Sequence, residues 1–307
     1  MFAFILQKAL QKAMDFRFDG SPNLLYFDEK DFNISAEPFS FHSGKWLLRG
    51  KKYFAEGIVP KAIVVFFHGA GAGHSAYMLE IAALAKQGFL VYSYDNTGCM
   101  TSEGNSIQSL AQPLLDQKAF FEYLDAHDSS SLPRYAVGHS WGGFAAFGAL
   151  DPAYHVEKAV SIAGPLSAKD IILSKAPKLK KFEDDLDRAL ARMAGIYGTC
   201  NVLDLIKSSD AKVLYVQGEA DSIVPADGAY AKLKERFGGN PRVRLALIPG
   251  ATHNVYWTLE AQKYFLDLQR DSKILQRDFD NRVPIDYGKL NEDDPMVMNR
   301  IFDFLLN

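Results

Sequence analysis

Ser140 lies in the run Gly138-His139-Ser140-Trp141-Gly142-Gly143, after the apolar stretch Tyr135–Gly138 and before the small residues Ala145, Ala146, Gly148 and Ala149. A serine with glycines two residues to either side, placed between a strand and a helix, predicts a sharp turn that lifts the hydroxyl above a sheet. Gly138 and Gly142 leave room for the close chain approach such a turn needs. The small residues beyond let the helix press against the strands, and its N-terminus brings a positive dipole to the hydroxyl. A serine here could also simply cap the helix. What separates the two roles is whether a base and an acid accompany it.

A serine hydroxyl is a weak nucleophile without a base, and the base needs an acid to orient it. Of the seven histidines, His253 in Gly250-Ala251-Thr252-His253 follows the last apolar run. Asp221 in Gly218-Glu219-Ala220-Asp221 follows the run before it. Both therefore fall at carboxyl ends of predicted strands, the edge where open α/β sheets place their sites. Glu219 is the rival acid, one step nearer its strand than is favourable. His139 is predicted to point away from the pocket, and surface or packing roles suffice for His42, His74, His127 and His155. The oxyanion formed on attack needs two N–H donors. These are expected from the amide of Trp141 and from Ala70 in His68-Gly69-Ala70-Gly71-Ala72-Gly73. That glycine-rich loop could instead cradle a phosphate, but it lacks both the Lys-Ser/Thr ending and the G-x-G-x-x-G spacing.

The elements that must position these residues follow from hydropathy. Phe39–His42 and Trp46–Phe54 around Ser43-Gly44 predict a hairpin. From Ala62–Phe67 onward, continuous apolar runs recur at Phe89–Tyr94, Tyr135–Gly138, Lys158–Ala163, Lys212–Gln217 and Val243–Ile248. Helical patterns lie between them near Ala76–Lys86, Ile107–Ala126, Gly142–Leu150 and Asp227–Phe237. This alternation predicts a mostly parallel sheet with helices on both faces, the hairpin adding antiparallel strands at one edge. Pro165 to about Asp210 is too long for a loop and one helix; a small helical cap over Ser140 is expected there. Phe2, Ile5, Leu6, Ala9, Leu10 and Ala13 mark an amphipathic helix over about 1–15 that packs on its own domain. Beyond Tyr256 come a helix, the polar stretch Asp280–Asp294 and a last helix, Met296–Leu306, with Ile301, Phe302 and Leu305 inward. Tyr77, Trp141 and Tyr256 are candidates to line an apolar acyl site. The 307 residues are expected to form one domain.

Composition narrows the classes of partner. A net charge of −3 argues against nucleic acid. No stretch approaches the ~20 apolar residues of a membrane span, and the apolar start is too short, with no preceding basic residue, for a leader. Cys99 and Cys200 stand in no metal-ligand spacing and predict free thiols in a reducing, cytoplasmic setting. No metal or other cofactor is expected.

Together these motifs, in this order, resemble the α/β-hydrolase superfamily, and within it the esterase, lipase and serine-aminopeptidase-like branch. The branch often carries Asp-x-Arg-Gly-x-Gly-x-Ser after the next strand; here Asp95, Gly98 and Ser102 match, while Thr97 and Met100 replace the Arg and the second Gly. Asp95 is read as structural. The resemblance implies an α/β-hydrolase fold and a serine hydrolase acting on a small-molecule acyl substrate, an ester first. A peptidase or amidase, an acyltransferase and a non-enzymatic binding module are the alternatives. Catalysis would fall to Ser140, Asp221 and His253. Oligomeric state is not legible from these residues.

Overall fold

The computed structural model describes residues 2–272, 274–275 and 284–307, so the first part of the predicted polar stretch Asp280–Asp294 lies outside the described residues. Among the described residues eight strands form one sheet: β1 (Ser35–Ser43), β2 (Trp46–Phe54), β3 (Ala62–Phe67), β4 (Phe89–Tyr94), β5 (Arg134–His139), β6 (Val156–Ile162), β7 (Lys212–Gly218) and β8 (Val243–Ile248). Their spatial order is β1-β2-β4-β3-β5-β6-β7-β8. β1 and β2 pair antiparallel to each other, β2 pairs antiparallel to β4, and the remaining pairs are parallel. The chain reverses direction of winding at β3, with β4 on one side and β5 on the other. The loops after β3 and β5 therefore leave the sheet side by side, the place where doubly wound sheets open a crevice.

The helices are α1 (Phe2–Ala13), α2 (Met78–Lys86), α3 (Gln112–His127), α4 (Trp141–Gly148), α5 (Ala168–Lys175), α6 (Glu183–Ala194), α7 (Val202–Ser208), α8 (Ala229–Phe237), α9 (Leu259–Asp271), α10 (Tyr287–Leu290) and α11 (Pro295–Leu306). Side chains along β3 alternate between two apolar layers because successive residues of a strand face opposite ways. Val64 and Phe66 pack with Ile81 of α2 and with Ile301, Phe302 and Leu305 of α11. Ile63, Val65 and Phe67 pack with Phe120 and Leu124 of α3, Phe144 of α4 and Leu233 of α8. Every residue of β3 is buried, which is why its sequence is an unbroken apolar run rather than an alternating one.

Three boundaries differ from the sequence reading. The pattern expected to be helical from Ile107 becomes helix only at Gln112, where Pro113 sits in the first turn, a position that needs no backbone N–H. The Pro165–Asp210 segment, read as a cap, holds three α-helices of which α7 returns to the sheet, with Val202 and Ile206 in the core. In α1 the buried residues are Ala3 and Leu6, while Ile5 is 54% exposed. The inward face is thus rotated from the expected one, because α1 packs on α6 and not on the sheet: Leu6 meets Ala168, Ile172, Leu186 and Leu190, and the Phe2 and Phe182 rings lie 4.4 Å apart.

Candidate active site

Ser140 stands between β5 and α4 with φ 57° and ψ −121°, a backbone region that L-residues enter only when held there. Two glycines make this geometry possible. A Cβ on Gly142 would collide with the carbonyl of Phe67, and one on Gly138 with the carbonyl of Gly142. The Ser140 amide donates to the Ile162 carbonyl at 2.8 Å, tying the turn to β6. Its hydroxyl caps nothing in α4. Instead Ser140 Oγ lies 2.8 Å from Nε2 of His253, and Nδ1 of His253 lies 2.8 Å from Oδ2 of Asp221. The three residues come together from the ends of β5, β7 and β8.

Asp221 is buried and held by four donors. Oδ1 accepts the amides of Ile223 and Val224 at 2.8 and 3.0 Å, and Oδ2 accepts Nε2 of Gln217 at 2.9 Å besides the His253 ring. Burial opposes ionisation of this carboxyl, but the hydrogen bond and charge of His253 and the two amides outweigh it, holding the pKa below the ordinary carboxylate range. Gln217 is a partner that the motif reading missed. It is anchored in turn by the Tyr215 hydroxyl at 2.6 Å and by the Val224 carbonyl at 3.0 Å. A buried glutamine closing the apolar run of β7 was the available signal. The rival acid Glu219 is exposed and accepts the Gly250 amide at 3.2 Å.

Ala70 and Trp141 flank the hydroxyl. Trp141 is the first residue of α4, and the first amides of a helix have no intrahelical acceptor. Its indole Nε1 donates to the Leu110 carbonyl at 2.7 Å, which locks the ring. Both Ala70 and Trp141 share a cavity wall with Ser140. The loop carrying Ala70 is braced from two sides. The Gly71 carbonyl accepts the amide of Gly20 at 3.0 Å, and the Gly69 amide donates to the Tyr77 hydroxyl at 3.0 Å.

His139 does not simply point away from the site. Its ring is buried 4.8 Å from that of His253, with Nδ1 3.0 Å from the Tyr77 hydroxyl and Nε2 3.0 Å from the His253 carbonyl. Because Tyr77 accepts from Gly69, its single proton goes to Nδ1, so Nε2–H donates to His253. The ring is the neutral Nε2 tautomer, and burial first, then the nearby His253, push its pKa down to about 3. The Ala70 loop is thus joined to the backbone of His253 by a relay of neutral groups. Of the other histidines, His74 is buried against Asp95, Nδ1 to Oδ1 at 2.7 Å. Asp95 also binds the Thr101 hydroxyl at 2.6 Å, within a loop in which Met100 takes φ 39° where the resemblance has a glycine.

Two cavities meet at Ser140. One, of about 800 Å³, is lined by His253, Tyr77, Tyr256, Leu24 and Trp257 among others. The second, of about 690 Å³, is lined by Trp141, Ile107, Leu110, Phe18 and Ile171 among others. Ala70, Ser140 and Ile223 border both. Among the described residues no group of three or more His, Cys, Asp or Glu could hold a metal ion, and no helix is long and apolar enough to cross a membrane. Cys99 and Cys200 are free thiols.

A doubly wound eight-stranded sheet with a strained serine at the end of β5 defines a class, and the chain has the α/β-hydrolase fold. Residues 59–201 match the family model described as serine aminopeptidase, S33. No curated protein sequence matches the chain. Solved structures share the fold at low identity. An esterase from Pyrococcus furiosus superposes with a TM-score of 0.63 at 17% identity, covering 93% of this chain and 98% of that one. An acylaminoacyl peptidase from Pyrococcus horikoshii gives 0.55 at 17% identity, covering 84% of this chain and 44% of that one.

Proposed function

We propose that this protein is a serine hydrolase that cleaves a carboxylic ester through an acyl-enzyme on Ser140. The observation that carries the reading is the unbroken hydrogen-bond chain from Ser140 Oγ through His253 to a buried, ionised Asp221, with 2.8 Å at each step. In the first half-reaction Oγ adds to the acyl carbonyl as His253 Nε2 takes its proton. Asp221 steadies the imidazolium, while the amides of Ala70 and Trp141 receive the developing oxyanion. The carbon–oxygen bond to the leaving alcohol then breaks as His253 returns the proton to that oxygen. In the second half-reaction His253 deprotonates a water, which displaces the acyl group and regenerates the serine. Helices α5 and α6 act in this scheme as the cap over Ser140.

The same constellation cleaves amides, and the family match described as serine aminopeptidase favours peptides as the second reading. Labelling with a fluorophosphonate probe tests the first claim: the protein should label, and Ser140→Ala should neither label nor turn over substrate. A Ser140→Ala variant with full ester hydrolysis would refute it. Comparing p-nitrophenyl esters with aminoacyl anilides then separates the two substrate classes.

A further inference from the structure

The leaving group must end within reach of the proton on His253 Nε2, and that requirement assigns the two cavities. His253 lines the larger cavity and is absent from the wall of the smaller one. We propose that the larger cavity takes the leaving group and the smaller one takes the acyl group, so that the substrate is an ester with bulky apolar groups on both sides of the carbonyl. This rests on the hydrolase reading above. Each cavity falls in the size range of a site for a drug-sized molecule, which neither half of a small ester such as an acetate would fill. Trp141 then belongs to the acyl side, while Tyr77 and Tyr256 face the leaving group.

The acyl side is built from several separate parts of the chain. Trp141 opens α4, Ile107 and Leu110 come from the loop before α3, and Ile171 comes from α5. A further part of the wall is Met14, Phe16 and Phe18, the strap that follows α1 and lies outside the family-matched stretch, and another is Val224 and Pro225 after β7. The Phe18 and Trp141 rings meet edge to face at 6.1 Å. The strap is fixed by backbone bonds from Phe18 to Gly98 and from Ile107 to Phe16, each 2.9 Å, so it is a wall and not a loose tail. Chain length is therefore selected by residues from the N-terminus. The strap continues past Gly20 into Leu24 and Leu25, which line the leaving-group side. One segment consequently shapes both cavities.

The test is a matrix of p-nitrophenyl esters of increasing acyl length and of hexanoyl esters with methyl, phenyl or naphthyl leaving groups. In the wild-type protein kcat/KM should rise about fourfold per added methylene until the cavity is full, the factor expected for burying one CH₂. Ile171→Trp should lower kcat/KM for decanoyl esters at least tenfold more than for the acetyl ester. Leu24→Trp should do the converse, penalising naphthyl at least tenfold more than methyl leaving groups at constant acyl length. If the two variants exchange these sensitivities, or if neither discriminates while Ser140 still labels with fluorophosphonate, the cavity assignment is overturned and the hydrolase reading stands. If Ser140 does not label, both fall together.

Discussion

Gln217 is the residue through which the proposed acid can be tested without touching it. Its amide nitrogen donates to the same Asp221 oxygen that faces His253, at 2.9 Å, and its own oxygen is held by Tyr215 at 2.6 Å. Gln217→Leu keeps the volume and deletes the donor. A hydrogen bond to a charged group contributes about 1.5–3 kcal/mol. Asp221 keeps the amides of Ile223 and Val224, so it should stay buried and ionised but lose the constraint on the rotation of Oδ2. If that whole amount is felt in orienting His253 at the transition state, kcat/KM falls by about ten- to a hundredfold, at 1.36 kcal/mol per tenfold. The loss should appear mainly in kcat, because no part of Gln217 lines either cavity. The assay is steady-state hydrolysis of a p-nitrophenyl ester at several pH values, beside thermal denaturation to show that the variant is folded. A folded Gln217→Leu protein with kcat/KM within twofold of wild type would refute the argument that Asp221 needs this donor.

Two further outcomes follow from the buried polar groups. Tyr77→Phe removes the acceptor of the Gly69 amide and the donor to His139. It should cost about 1–3 kcal/mol of stability from groups left unpaired, read by chemical denaturation. A fall in kcat should accompany it as the Ala70 loop loosens. Glu80 and Asp293 are carboxyls whose pKa values burial pushes up, Asp293 to about 7, and Glu80 also feels the charge of Asp293. A carboxyl with a raised folded pKa binds more protons folded than unfolded, so its contribution favours folding at low pH and becomes unfavourable as pH rises from its ordinary range through about 7. Asp293→Asn should therefore raise Tm by a few degrees near pH 8 and leave it nearly unchanged near pH 4. An equal shift at both pH values, measured by scanning calorimetry, would refute the sign.

What was legible in the sequence is whatever a short stretch decides for itself. The apolar runs marked the parallel strands because a strand covered on both faces is built mostly of apolar residues, and Gly138 and Gly142 marked the turn because no larger residue fits there. Asp221 and His253 could be picked out as soon as each was placed at a strand end. Other features came from distant parts of the chain meeting. Gln217 bonds Asp221 only because of how the loop after β7 folds back, and the role of His139 depends on Tyr77 from another element. The strap carrying Phe16, Phe18 and Gly20 meets the loops after β3 and β4, roughly fifty to ninety residues away. Local pattern carries no record of such pairings. The proposed chemistry was thus read from residue types and spacing. The division of the site into two cavities was decided by tertiary packing, because a cavity wall belongs to no single segment.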